Sequence, residues 1–157
     1  MQLLENHPLE TLQVGQTASY TKTLTAADIA LFAACSGDVN PVHLDSDYAA
    51  TTAFGEPIGH GMWTGALVSA AIATQLPGPG SIYRSQTLNF KHPVKVGDEI
   101  SVKLEITEIK ARIKLVVLNC EAVNQDGVLV AKGVAEVIAP TEKLQLKAGV
   151  LPRITLD

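Results

Sequence analysis

The chain has 157 residues, one domain's worth, and a chain of that size buries roughly 70% of its unfolded surface, so its core needs no staples. Hydrophobic residues make up 46% and charged residues 18%, with a mean hydropathy of +0.20, which excludes a disordered chain and predicts apolar surface buried between subunits of a homo-oligomer. A net charge of −4, a pI near 5.5 and 12 scattered basic residues exclude an electrostatic footprint for nucleic acid.

Glu5 and Glu10 lie where a secretory signal would carry a basic start, and no apolar stretch reaches ~18 residues, so neither a leader nor a membrane segment is predicted. Cys35 and Cys120 are expected to be two small buried hydrophobes in a reducing compartment, and the protein is expected in the cytoplasm.

In chain order, a strand is predicted near residues 16–24. Thr25-Ala26-Ala27-Asp28 has the form of a capping box, and Ile29, Leu31, Phe32 and Cys35 supply the apolar face of a short helix that stops at Gly37. Asp45-Ser46-Asp47-Tyr48-Ala49-Ala50 predicts another helical turn with Ser or Asp as its cap. Gly55, Pro57, Gly59 and Gly61 then mark a loop.

Residues 62–75 carry no formal charge, and Met62, Trp63, Leu67, Val68 and Ile72 alternate with Gly65, Ala66, Ser69 and Ala70. Such a helix is expected to be buried all round, and at ~21 Å it is too short to span a bilayer. After the Pro77-Gly78-Pro79-Gly80 turn the period changes to two: Ile100, Val102, Leu104 and Ile106 alternate with Glu99, Ser101, Lys103 and Glu105. Residues 81–90, 113–124 and 128–138 also read as strands, the last two joined as a hairpin around Gln125-Asp126-Gly127. Ala131, Gly133 and Ala135 present a flat face suited to close contact with the buried helix. The predicted architecture is α+β, a mostly antiparallel sheet of about five strands wrapped over one long helix, with one domain over residues 1–138 and a C-terminal extension or linker over 139–157.

Chemistry concentrates in Cys35-Ser36-Gly37-Asp38-Val39-Asn40-Pro41-Val42-His43. Asp38, Asn40 and Pro41 are ordinary turn formers, yet a bend here turns a carboxylate and an imidazole onto one small molecule as proton acceptor and donor. Gly59-His60-Gly61 is either a flexible helix entry or an oxyanion site, since a glycine at a helix start leaves N–H groups open to close approach. The glycines do not complete a nucleotide fingerprint. Cys35 is expected in the core rather than as a nucleophile, and Ser69, which lacks a nucleophile elbow, is expected in a pocket wall or helix contact. His7, His43, His60 and His92 have no close metal-ligand spacing, so no metal is proposed. Arg84, Lys91 and His92 either meet an anionic ligand tail or mark an exposed strand end.

Ser36-Gly37-Asp38-Val39-Asn40-Pro41-Val42-His43 resembles the R-specific enoyl-CoA hydratases, the MaoC-like or hydratase-2 group of the hot-dog fold. The likeness runs over residues 13–138 and includes Ala49-Ala50-Thr51-Thr52-Ala53-Phe54, His60-Gly61-Met62, Gly80-Ser81-Ile82-Tyr83, Phe90-Lys91 and Val96-Gly97-Asp98. It implies a homodimer with acyl-CoA sites near the subunit interface and chemistry without a cofactor. Position by position, it implies Asp38 and His43 as the catalytic pair that activates water, the Gly61 amide as donor to the thioester oxygen, Ser69 at the end of the acyl pocket and Asn40 as brace of the loop. Asn40, His60, Gly61, Met62 and Ser69 are thus the candidate substrate-binding residues. Ala139-Pro140-Thr141-Glu142-Lys143 and Met62-Trp63 further resemble the N-terminal hydratase part of bifunctional proteins with a phosphate acetyl- or butyryltransferase behind it.

Two rivals remain. A hot-dog thioesterase, like the related dehydratases, often places an acid on the central helix, and residues 62–75 contain none. A non-catalytic acyl-CoA-binding module would have no need of both Asp38 and His43.

Overall fold

A computed structural model describes residues 3–155. The main sheet is formed by β2 (Thr17–Thr23), β3 (Ile82–Phe90), β4 (Glu99–Lys110), β5 (Leu115–Val123) and β6 (Leu129–Ile138), after a short β1 (Leu3–Glu5). Its order is β2-β4-β5-β6-β3 with every neighbouring pair antiparallel. The helices are α1 (Ala26–Ser36), α2 (Pro41–Leu44), α3 (Ser46–Ala50) and α4 (Gly61–Thr74). The expected sheet-over-helix architecture is therefore present, and β4 runs on past Ile106 through a register shift between Ile106 and Glu108.

Alternation dictates the core. Ile100, Val102, Leu104 and Ile106 of β4 and Val116, Leu118 and Cys120 of β5 point inward onto Trp63, Leu67, Val68, Ala71 and Ile72 of α4. Each large side chain buried there contributes roughly 1.5–3 kcal/mol relative to exposure. The β5–β6 hairpin turns where expected: Gly127 has φ +76°, and the Asn124 side-chain oxygen accepts from the Asp126 and Val128 amides.

Three packing expectations need correction. Helix α4 is not buried all round: Met62, Ala66, Ser69 and Ala73 form one exposed stripe, with Met62 58% exposed. An uncharged helix predicts burial only if solvent is the sole alternative, and Met62, Ala66 and Ser69 of this stripe instead line a cavity described below. Ala131 and Ala135 of β6 are buried in the same core as α4, but the backbone of α4 packs more extensively on β2 and β4. Gly133 answers instead to its neighbouring strand, because a Cβ there would lie 1.7 Å from the Thr87 carbonyl oxygen of β3. Cys35 is exposed, not core, while Cys120 is buried. The buried residues of α1 are Ile29 and Ala33, and Cys35, two positions past Ala33, is turned about 200° away from that face.

Residues 139–147 return to the N-terminal segment. Strand β7 (Gln145–Lys147) pairs with β1, and the fully buried Asn6 donates to the Glu142 carbonyl at 2.8 Å and accepts from the Leu144 amide at 2.8 Å. No helix among the described residues is long and apolar enough to cross a membrane.

Candidate active site

Local rules build the bend between α1 and α2. The capping box forms as read, Thr25 accepting from the Asp28 amide and Asp28 from that of Thr25, and the helix ends at Gly37 with φ +78°, where a left-handed residue is needed. Each polar residue that follows then fixes the next: the Asp38 amide donates to Ser36 Oγ at 3.2 Å, the Asn40 amide to Asp38 Oδ1 at 3.2 Å and the Val42 amide to Asn40 Oδ1 at 3.3 Å. Asn40 caps α2 and Pro41 occupies its first turn, which sets His43 at the end of one tight turn.

The result is convergence. His43 Nε2 lies 4.0 Å from Asp38 Oδ2, with the imidazole side chain 10% exposed and the carboxylate 50%. His43 Nδ1 sits 2.8 Å from the Ile58 carbonyl oxygen. A carbonyl only accepts, so Nδ1 carries the hydrogen and Nε2 is left to face the carboxylate. Four ångströms is too long for a direct hydrogen bond, but a water about 2.8 Å from both atoms bridges such a gap.

The second component is the start of α4. His60 is 3% exposed, its Nε2 lies 3.0 Å from the Asp38 carbonyl oxygen, and its ring stacks on His43 with centroids 3.9 Å apart and planes at 28°. As N-cap of α4 it makes no side-chain cap hydrogen bond, so no side chain closes off the amides of the first turn beginning at Gly61. A cavity of about 260 Å³ is lined by His43, Gly61, Phe90, Lys91 and His92 among others. His43 and the helix terminus thus share one cleft, and Asp38 adjoins it through His43, 4.0 Å away, without lining it. A second cavity of about 360 Å³ is bounded by Phe32, Met62, Ala66, Ser69, Tyr83 and Leu88.

The candidate binding residues divide accordingly. Gly61 lines the first cavity, and Met62 and Ser69 the second. The side chain of Asn40 is engaged with its own loop, and His60 lines the first cavity with its Nε2 held on the Asp38 carbonyl. Lys91 and His92 flank the first cavity, His92 Nδ1 lying 2.8 Å from the Leu129 carbonyl oxygen, whereas Arg84 sits at the β3 register shift and lines neither cavity. Sequence reasoning missed the Ile58 carbonyl, Phe32 and Tyr83, all of which arrive through tertiary contacts. Burial pushes the Tyr83 phenol pKa up, and it raises that of the Cys120 thiol to about 11, which leaves that sulfur an inert packing group.

Sequence spacing also missed that Asp38, His43 and His60 bring ligand-type atoms within 4.8 Å of one another. The two rings stack nearly parallel, so their in-plane lone pairs run side by side rather than to a common point, and one nitrogen of each is engaged by a carbonyl. That geometry suits proton handling better than ion ligation.

A five-stranded antiparallel sheet curled over one central helix, with a polar bend at the helix's N-terminal end, is the hot-dog fold. The chain belongs to the MaoC like domain family, whose sequence model matches residues 10–125. The (R)-specific enoyl-CoA hydratase of Aeromonas caviae is 46% identical over 131 residues, covering 83% of this chain and 98% of that protein. The enzyme of the same name from Rhodospirillum rubrum is 41% identical over 85% of this chain and 92% of its own. In three dimensions the R-hydratase PhaJ1 from Pseudomonas aeruginosa superposes with a TM-score of 0.95 at 51% identity, over 99% of this chain and 100% of that one.

Proposed function

We propose that the protein is a hydro-lyase that reversibly hydrates trans-2-enoyl-CoA to (R)-3-hydroxyacyl-CoA. One observation carries the reading: His43 lines the cavity that Gly61 also lines, and its Nε2 lies 4.0 Å from Asp38 Oδ2. Relatives named (R)-specific enoyl-CoA hydratase, similar over most of both chains, support the substrate class and the stereochemistry.

The proton inventory closes without a cofactor. A water held between carboxylate and imidazole attacks C3; one of its protons passes to the pair and the other stays on the new hydroxyl. The electron pair of the C2=C3 bond moves toward the thioester, and the enolate-like oxygen takes the Gly61 N–H, a role worth about 3 kcal/mol per donor. The pair then delivers a proton to C2 and returns to its starting state. Asp38 and His43 share the base and acid tasks, and dehydration runs through the same steps reversed. The thioester head occupies the first cavity, the acyl chain enters the second past Met62 to Ser69, and Lys91 and His92 meet the anionic carrier.

The same reading makes the protein a homodimer. In support, β3 offers an unpaired edge with Ile82 61% exposed, and α4 bears the apolar stripe through Met62 and Ala66. Two free thiols fit a reducing compartment such as the cytoplasm. Crotonyl-CoA tests the activity: its enoyl absorbance should disappear with no release of free CoA. Release of CoA with the double bond intact would make the protein a thioesterase.

A further inference from the structure

We propose that His60 is a positioning residue that holds the Asp38 carboxylate, the His43 ring and the Gly61 amide in one rigid unit; the inference rests on the hydratase reading above. Its Nε2 lies 3.0 Å from the Asp38 carbonyl oxygen, and because a carbonyl cannot donate, Nε2 carries the hydrogen. His43 is fixed the other way, with Nδ1–H on the Ile58 carbonyl. Two stacked imidazoles 3.9 Å apart therefore hold opposite tautomers.

The unused nitrogen supports the assignment. His60 Nδ1 is buried and has no hydrogen-bond partner among the described residues, an unsatisfied acceptor that a purely structural site would not retain without cause. An ordinary N-cap such as Ser, Asn or Asp would accept from the second or third amide of α4 and close the helix end. His60 makes no such cap bond, and its ring turns instead to the loop of Asp38, between Phe32 at 4.9 Å and His43. The helix terminus stays open while the residue immediately before Gly61 grips the backbone of Asp38. A single residue thus sets the distance between proton-transfer pair and oxyanion donor, where a shift of about 1 Å costs about 100-fold in rate.

Two variants and one spectrum decide the point. The glutamine amide nitrogen lies as many bonds from the backbone as His Nε2, so His60→Gln keeps the donor to Asp38, whereas His60→Phe keeps only the stacking. With crotonyl-CoA, His60→Phe should lose about 100-fold in kcat with KM changed less than about threefold, and His60→Gln should recover at least about tenfold of that loss. Long-range proton–nitrogen NMR of the ligand-free wild type should show a bare Nδ1 on His60 and a bare Nε2 on His43. Wild-type kcat in His60→Phe, no recovery in His60→Gln, or the same tautomer on both rings would overturn the proposal. A wild type that leaves crotonyl-CoA untouched would refute the hydratase reading instead, and the tautomer pair would still report on the clamp.

Discussion

Replacing Asp38 by Asn changes one acceptor atom and little else. The Asn40 amide donates to Asp38 Oδ1 at 3.2 Å, and the amide oxygen of the replacement retains that bond, so the bend keeps its shape. At the Oδ2 position, however, an NH₂ group now faces His43 Nε2 across 4.0 Å and donates where a carboxylate accepted. The water loses one of its two proton acceptors. Removing a positioned general base typically costs 10²–10⁴ in rate, about 3–5 kcal/mol of barrier. The side chain is half exposed, so the change in folding stability should stay under about 1 kcal/mol. Steady-state hydration of crotonyl-CoA, with a urea melt on the same preparation, gives both numbers. A kcat within about tenfold of wild type, in a protein of unchanged stability, would refute the reasoning that Asp38 handles the proton.

Other perturbations act on separate links. Gly133→Ala puts a Cβ 1.7 Å from the Thr87 carbonyl oxygen, and backbone cannot yield there without opening the β3–β6 ladder. A loss of roughly 3 kcal/mol in unfolding free energy is expected, read as a lower urea midpoint at unchanged m, and a loss under about 1 kcal/mol would contradict the register. Burial alone would raise the Asp28 carboxyl pKa, but hydrogen bonds from Lys22 and Thr25 outweigh it and hold the pKa below the usual range. Its stabilisation is therefore full above the unfolded carboxylate range and disappears as pH falls through the lowered folded value. Asp28→Ala should cost about 1 kcal/mol at neutral pH, with the melting curves of variant and wild type converging below about pH 4; a constant gap down to acid would show that charge plays no part. Ala66→Leu intrudes on the second cavity and should cut kcat/KM for a six-carbon enoyl-CoA roughly tenfold more than for crotonyl-CoA, and equal losses would place the acyl chain elsewhere.

What can be read from the sequence is what short-range physics specifies. Thr25 with Asp28, the stop at Gly37 and the two-residue rhythm of Glu99 to Ile106 each encode their structure within a few positions. Asp38 and His43 converge because Ser36, Asn40 and Pro41 fold the bend locally. Contacts that span the chain leave no such local trace. Nothing near residue 60 announces that its ring reaches a carbonyl 22 positions back, or that it stacks on His43. Hydrophobicity does not distinguish a helix face against the core from one against a cavity, so the Met62, Ala66, Ser69 stripe reads as buried in the sequence and is open in the fold. Cys35 misleads for a related reason, since its hydrophobicity does not show that it lies round the helix from the buried Ile29 and Ala33.

The most direct measurement is a crystal structure of the Asp38→Asn variant with (R)-3-hydroxybutyryl-CoA. The 3-hydroxyl oxygen should lie about 3 Å from both His43 Nε2 and the side-chain amide introduced at position 38, with the thioester oxygen within about 3 Å of the Gly61 nitrogen. A thioester bound away from the start of α4, or a hydroxyl out of reach of either side chain, would contradict the account.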